Sequence, residues 1–205
     1  MDKASEKISK RYDRAAKFFE MSESMMEKGK MGLWRATVWQ EAKGKILEVG
    51  VGTGKNIQYY PDDAEVTAID FSEKMLEKAK MRAEKLVKSV DLRLMDAQQL
   101  DFPDETFDTV ITTCVFCSVP DAVKGLKEIR RVCKKDGQII MLEHVRSKNP
   151  IMGAVMDFLN PLVVRIVGAN INRDTIKNLT SAGLKVDVEK DLMMDIVKHI
   201  KCSRS

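Results

Sequence analysis

Three glycines at alternate positions follow an apolar run that ends in an acid, in Leu47-Glu48-Val49-Gly50-Val51-Gly52-Thr53-Gly54. A strand that turns into a helix through glycines lets a ligand approach backbone where any Cβ would collide, and it places helix amides behind the turn. The segment therefore marks a nucleotide-type cofactor site, and spacing separates the candidates. A phosphate-cradling GxxxxGK(S/T) loop ending at Gly54-Lys55 requires glycine where Val49 stands and a metal-binding hydroxyl where Asn56 stands. The dinucleotide pattern GxGxxG from Gly50 requires its third glycine at Lys55, so a nicotinamide dehydrogenase fits poorly.

Around this turn the chain alternates strand-like and helical patterns, as in a parallel sheet covered by helices on both faces. The expected strands are 45–49, 65–70, 90–95, 107–113 and 138–144, with a terminal antiparallel pair at 185–190 and 195–201. Ser72 caps a helix with apolar Met75, Leu76, Ala79 and Ala83 at helical spacing, and Asp121 starts another. The turn Lys134-Lys135-Asp136-Gly137 leads into the fifth strand, and 174–182 reads as a helix closed by Gly183. With 205 residues, 44% of them hydrophobic, one α/β domain is the expectation.

The pattern E-x-G-x-G-x-G resembles motif I of the class I S-adenosylmethionine-dependent methyltransferases. That resemblance implies a doubly wound, Rossmann-like sheet of seven strands with the last antiparallel. It also implies S-adenosyl-L-methionine as cofactor, S-adenosyl-L-homocysteine as product, and no metal. Glu48, Gly50, Val51, Gly52 and Gly54 then belong to the cofactor turn. Asp70, at the second strand tip, stands where an acid holds ribose hydroxyls, or it is a turn acid. Phe71 and Met75 are placed to flank an adenine ring, although Met75 also suits a core position. Asp96-Ala97 resembles the motif that meets the adenine edge, with an ordinary turn aspartate as the alternative. Thr113 begins the segment Thr113-Cys114-Val115-Phe116-Cys117-Ser118, which lies beneath the methionine part of the cofactor in the family.

His144 is the catalytic candidate, because an imidazole at the fifth strand tip can accept a proton near neutral pH; the alternative is a structural histidine. Cys114-x-x-Cys117 has no second ligand pair for zinc and does not open a helix, so both read as small strand-tip residues. Tyr12, in Arg11-Tyr12-Asp13, resembles a tyrosine-aspartate element of quinone and phospholipid methyltransferases, whose N-terminal helix closes over the cofactor. It fits equally a tyrosine in the apolar stripe Ile8, Tyr12, Ala15, Phe19.

These readings divide the chain into an N-terminal helical lid, 1–41, and a cofactor-binding domain, 42–205, with a substrate-cap insertion at 147–172. The insertion holds two apolar runs, broken at Asp157, Asn160 and Pro161. The segment from Asp70 to Arg146 resembles quinone-biosynthesis C-methyltransferases, bacterial phospholipid N-methyltransferases and thiol methyltransferase-like proteins. A small or lipid-like acceptor follows, with a small thiol as the alternative. A non-catalytic cofactor-binding module is the reading of another class.

The basic helix with Lys3, Lys7, Lys10, Arg11, Arg14 and Lys17 and the apolar stretch 151–167 suit peripheral contact with an anionic membrane, or an internally packed lid. A net charge of +4 on 35 basic and 31 acidic residues, without a basic stripe through the core domain, disfavours nucleic acid. Four cysteines without disulfide spacing, a polar N-terminus and no apolar run of 18 residues suit a cytoplasmic protein.

Overall fold

The computed structural model describes residues 3–13, 27–166 and 168–204. Seven strands, β1 (Lys45–Val49), β2 (Glu65–Asp70), β3 (Asp91–Leu94), β4 (Phe107–Thr113), β5 (Cys133–His144), β6 (Leu184–Met193) and β7 (Val197–Arg204), form one sheet. Their order is β3-β2-β1-β4-β5-β7-β6; β7 runs antiparallel to both β5 and β6, and the other pairs are parallel. The chain order reverses between β1 and β4, which opens a crevice at their carboxyl ends.

Helices cover both faces. The described part of α1 is residues 3–13, followed by α2 (Gly32–Gln40), α3 (Glu73–Leu86), α4 (Ala122–Val132), α5 (Pro150–Ile166) and α6 (Thr175–Ser181). The central strands are apolar on both sides because both are covered: Leu47 and Val49 pack with Leu126 and Ile129 of α4, while Ile46 packs with Trp39 of α2 and Ala79 of α3. Val38 and Trp39 are buried here, so α2 is part of the sheet's cover. Side-chain oxygens cap three helices: Ser72 accepts from the Met75 amide at 3.2 Å, Asp121 from Lys124 at 2.9 Å and Asp174 from Lys177 at 3.0 Å.

Three expectations change. The fifth strand starts at Cys133, because the helix end is already extended and Phe107 pairs with Cys133; the expected turn 134–137 is an irregularity inside the strand, anchored where Lys134 meets Asp108 at 2.7 Å. The terminal strands are longer than 185–190 and 195–201, reaching Met193 and Arg204. The two apolar runs of 147–172 join in one 17-residue helix, α5, that continues through Pro161. The proline ring lies at the exposed surface, and the Asn160 side chain accepts from the Ile171 amide at 2.9 Å, which anchors the helix beside it.

Candidate functional site

A cavity opens at the carboxyl ends of β1, β2 and β4, where the sheet order reverses. Its floor is the glycine turn. Gly50 (φ +74°) donates to the Ile69 carbonyl at 2.8 Å, and a Cβ there would fall 2.5 Å from Val115 Cγ2. Gly52 (φ +55°) lines the cavity, and no atom stands within 4 Å of its Cβ position, so a side chain would project into open space. Gly54 has another task. It does not line the cavity, and its missing Cβ lets the turn pack on Ile57 and Ala79 of the neighbouring helices.

Asp70 faces the turn. Its carboxylate accepts from the Gly52 amide at 2.8 Å and the Ser72 amide at 3.0 Å. Burial pushes it up to about 6, against those amides, with the nearby Asp13 charge adding to the rise. Phe71 and Met75 line the same wall, and Asp96 and Ala97 stand at the β3 side, where Asp96 accepts from the Gln98 amide at 2.9 Å.

Glu48 lies beneath the turn and does not line the cavity. It accepts from the Tyr60 hydroxyl and from Asn56 Nδ2 at 2.6 Å, and burial pushes it up to about 7. Asn56 Nδ2 also donates to Thr113 Oγ1 at 3.1 Å, and Asn56 Oδ1 accepts from Arg35 at 2.8 Å. Glu48 thus braces the turn, β4 and α2 from below. Arg35, buried on α2, lines the cavity and was not anticipated. Nothing local in Leu33-Trp34-Arg35-Ala36 marks it, since only the packing of α2 on the sheet brings it there.

The loop after β4 forms the third wall, with Thr113 and Cys114 lining it. Glu143, fully buried on β5, accepts from Thr112 Oγ1 at 2.7 Å and from the Val115 and Phe116 amides at 3.2 and 3.3 Å. Burial pushes Glu143 up to about 7. Cys117 Sγ donates to the Cys114 carbonyl at 3.3 Å, and burial pushes its thiol up to about 12, away from the thiolate form. Among the described residues no three His, Cys, Asp or Glu side chains are grouped to hold a metal.

α1 is the roof. Ser9 Oγ donates to the Phe71 carbonyl at 2.8 Å, Gln98 Nε2 to Ser5 Oγ at 2.7 Å, and Tyr12 bonds Ser118. Tyr12 and Ser5 both line the cavity. Tyr12 meets Phe71 edge-on at 5.6 Å, and burial pushes its phenol up. Ala15 and Phe19 of the anticipated apolar stripe, and Arg14 and Lys17 of the basic residues around it, lie outside the described residues. None of residues 147–166 lines the cavity.

His144 is not among the lining residues either. Adjacent strand residues point to opposite faces, so Glu143 turns toward the β4 loop and His144 toward the face of Leu142 and α2. Burial pulls its imidazole below the usual value, and its buried Nδ1 has no hydrogen-bond partner among the described residues. His144 thus stands half-buried at the tip of β5, on the side of the strand opposite Glu143 and outside the cavity lining.

A family model described as a methyltransferase domain matches residues 47–141, from β1 into β5. The demethylmenaquinone methyltransferase of Lactobacillus johnsonii is 30% identical over 205 aligned residues, covering 91% of this chain and 84% of that one. The chain belongs to the S-adenosylmethionine-dependent methyltransferases. A ubiquinone/menaquinone biosynthesis C-methyltransferase of Desulfotalea psychrophila is 31% identical over 80% of this methyltransferase and 70% of its own length. The phosphatidylethanolamine N-methyltransferase of Cereibacter sphaeroides is 44% identical over 111 residues, a match that spans 53% of this methyltransferase and only 55% of the relative. A methyltransferase of Thermotoga maritima shares the fold at a TM-score of 0.70 and 19% identity, covering 95% of this chain and 99% of its own. The YcgJ protein of Bacillus subtilis does so at 0.66 and 19%, covering 85% and 97%.

Proposed function

We propose that this methyltransferase transfers a methyl group from S-adenosylmethionine to an amphipathic acceptor, either a phospholipid headgroup amine or a quinone precursor. One observation carries the cofactor half. Gly52, with open space at its Cβ position, lines one cavity together with the amide-held carboxylate of Asp70 and the buried cation of Arg35. A ligand with ribose hydroxyls and an amino-acid carboxylate matches that pair of charges. In this reading Asp70 accepts from the hydroxyls, Arg35 opposes the carboxylate, Phe71 and Met75 flank the base, and Asp96 with the Ala97 backbone holds its edge. The turn of Gly50, Val51 and Gly52, together with Thr113, supports the remainder, and Tyr12 closes the roof.

The bound cofactor supplies a sulfonium methyl that is already electrophilic. The chain therefore has to hold the acceptor in line and exclude water, and α1 over the cavity serves the second need. A neutral amine attacks through its own lone pair and the product ammonium gives its proton to solvent, whereas a ring carbon must also pass its ring proton to an acceptor at the site. The acceptor class rests on the functions of the relatives above.

Labelled S-adenosylmethionine supplied with a lipid extract, a demethylated quinone precursor and a small-thiol panel tests the reading. Label should enter the lipid or quinone fraction. Label confined to the aqueous thiol fraction would sink the acceptor assignment. Calorimetry with S-adenosylhomocysteine tests the donor: silence at a few hundred micromolar, above the usual range of such sites, would end it.

A further inference from the structure

α5 is amphipathic in the inverse sense. Ile151, Met152, Val155, Phe158, Leu159, Leu162 and Ile166 are its exposed large apolar residues, with Phe158 84% accessible. At 100° per residue all seven fall within an arc of about 120°. The opposite side carries the attachments to the rest of the protein. Asp157 is paired with Arg146 at 2.7 Å and with Asn172 at 3.0 Å, Gly153 lies against the Arg146 guanidinium, and Asn160 bonds the Asn170 side chain at 3.2 Å. A helix that served the core would bury its apolar arc and expose its acid. This one is fastened by polar groups and presents the apolar arc to solvent, well beyond the scattered single exposures of an ordinary surface.

The charges around the arc choose its partner. Lys148 and Arg165 stand exposed at the two ends of α5. α1 lies alongside, with Arg11 donating to the Val164 carbonyl at 2.9 Å and with Lys3, Lys7 and Lys10 exposed. Of the three acids in these segments, Glu6 is paired with Lys10, Asp157 with Arg146, and Asp13 accepts from the Ser72 hydroxyl, while Lys148 is paired with Glu189 of β6. A second copy seated symmetrically on the arc would bring these cations toward their own kind. A surface of anionic headgroups over acyl chains matches the apolar arc, the cations Lys148 and Arg165 at its ends and the exposed lysines of the adjoining α1.

We propose that α5 seats the protein on an anionic lipid bilayer, its arc lying in the boundary between headgroups and acyl chains. Among the described residues no helix is long and apolar enough to cross a membrane, so the helix lies on the surface. The seat deepens the assignment of an amphipathic acceptor and rests on it for its purpose. α1 touches α5 at Val164 and roofs the cavity, so the bilayer is brought beside the place where a lipid-borne acceptor must enter.

Sedimentation of the full chain with phosphatidylcholine vesicles, with and without a third of phosphatidylglycerol, tests this. The protein should pellet with the anionic vesicles, less with neutral ones, and less again at high salt. The double variant F158S/L162S should lose at least tenfold in partitioning. Both residues are exposed, so S-adenosylhomocysteine binding by calorimetry should stay within twofold.

Wild-type protein left in the supernatant, or a double variant that pellets like the wild type, would overturn the seat. Equal, salt-insensitive binding to neutral vesicles would overturn its anionic character. A concentration-dependent dimer in ultracentrifugation, abolished by the same two substitutions, would give the arc to a second copy. Loss of the S-adenosylhomocysteine signal alone would instead strike the cofactor reading, leaving the vesicle result standing.

Discussion

The Tyr12 hydroxyl is hydrogen-bonded to the Ser118 hydroxyl, joining the roof helix to the loop after β4 across 106 residues of sequence. Tyr12→Phe removes the bond and keeps the edge-on contact with Phe71. A hydrogen bond contributes about 1 kcal/mol, or about fivefold in affinity. S-adenosylhomocysteine should bind about fivefold more weakly in calorimetry. An unchanged dissociation constant would show that the roof does not tighten on the cofactor.

Gly50 and Gly52 should respond differently to alanine. At Gly50 the Cβ would meet Val115 at 2.5 Å, and φ is +74°, so Gly50→Ala combines overlap with a left-handed backbone cost of about 1–2 kcal/mol. Urea unfolding should show a loss of about 2 kcal/mol or more. At Gly52 nothing obstructs the Cβ, so Gly52→Ala should lose only about 1 kcal/mol of stability, since φ is +55°. Its methyl would occupy ligand space, and cofactor affinity should fall about a hundredfold, or roughly 3 kcal/mol.

Asp70 gives the site a pH dependence. Its folded value, pushed up to about 6, exceeds an unfolded value of about 3.9, so folding favours the protonated form. The stability it contributes without ligand is present below pH 4 and is lost as pH rises through 6. Ligand hydroxyls donate to the ionised form, so cofactor binding has the opposite sign. Affinity should be flat above pH 7 and fall by up to about tenfold per unit below 6. Asp70→Asn should be weaker throughout and lose that slope, as calorimetry from pH 5 to 8 would show.

His144 should prove structural. His144→Asn is expected to lower the melting temperature by a few degrees, about 1 kcal/mol for a domain of this size, and to keep kcat within threefold. A hundredfold fall in kcat at constant KM, with loss of the acid limb of the pH profile, would restore the imidazole as the proton acceptor. Glu143→Gln offers the contrast. Glu143 holds Thr112 and two amides of the cavity wall, so this positioning residue should cost more in cofactor affinity than His144 does.

Much of this was legible along the chain because the signals are local. The alternation of patterns and the Gly50-x-Gly52 turn follow from backbone sterics, and Ser72, Asp121 and Asp174 cap helices within three residues of themselves. Asp70, Asp96 and Thr113 could be placed at strand tips because a parallel sheet puts successive strand ends on one edge. Arg35 could not be found, since its route to the cavity runs through the packing of α2 on the sheet. Glu48 and Gly54 fall within the cofactor pattern, yet one braces the turn and the other packs it on α3, a distinction set by which side of the backbone each faces.

The sequence by itself determined the sheet, the glycine turn and the kind of ligand that turn admits, because those depend on periodicity and on φ values that few residues adopt. Only the tertiary structure decided which side of β5 carries Glu143 and which His144, and which way the apolar arc of α5 faces. A strand has two sides and an amphipathic helix can be turned inward or outward. Sequence period is the same in both cases, and the choice is made by partners far along the chain, here the β4 loop for Glu143 and Arg146, Asn170 and Asn172 for α5.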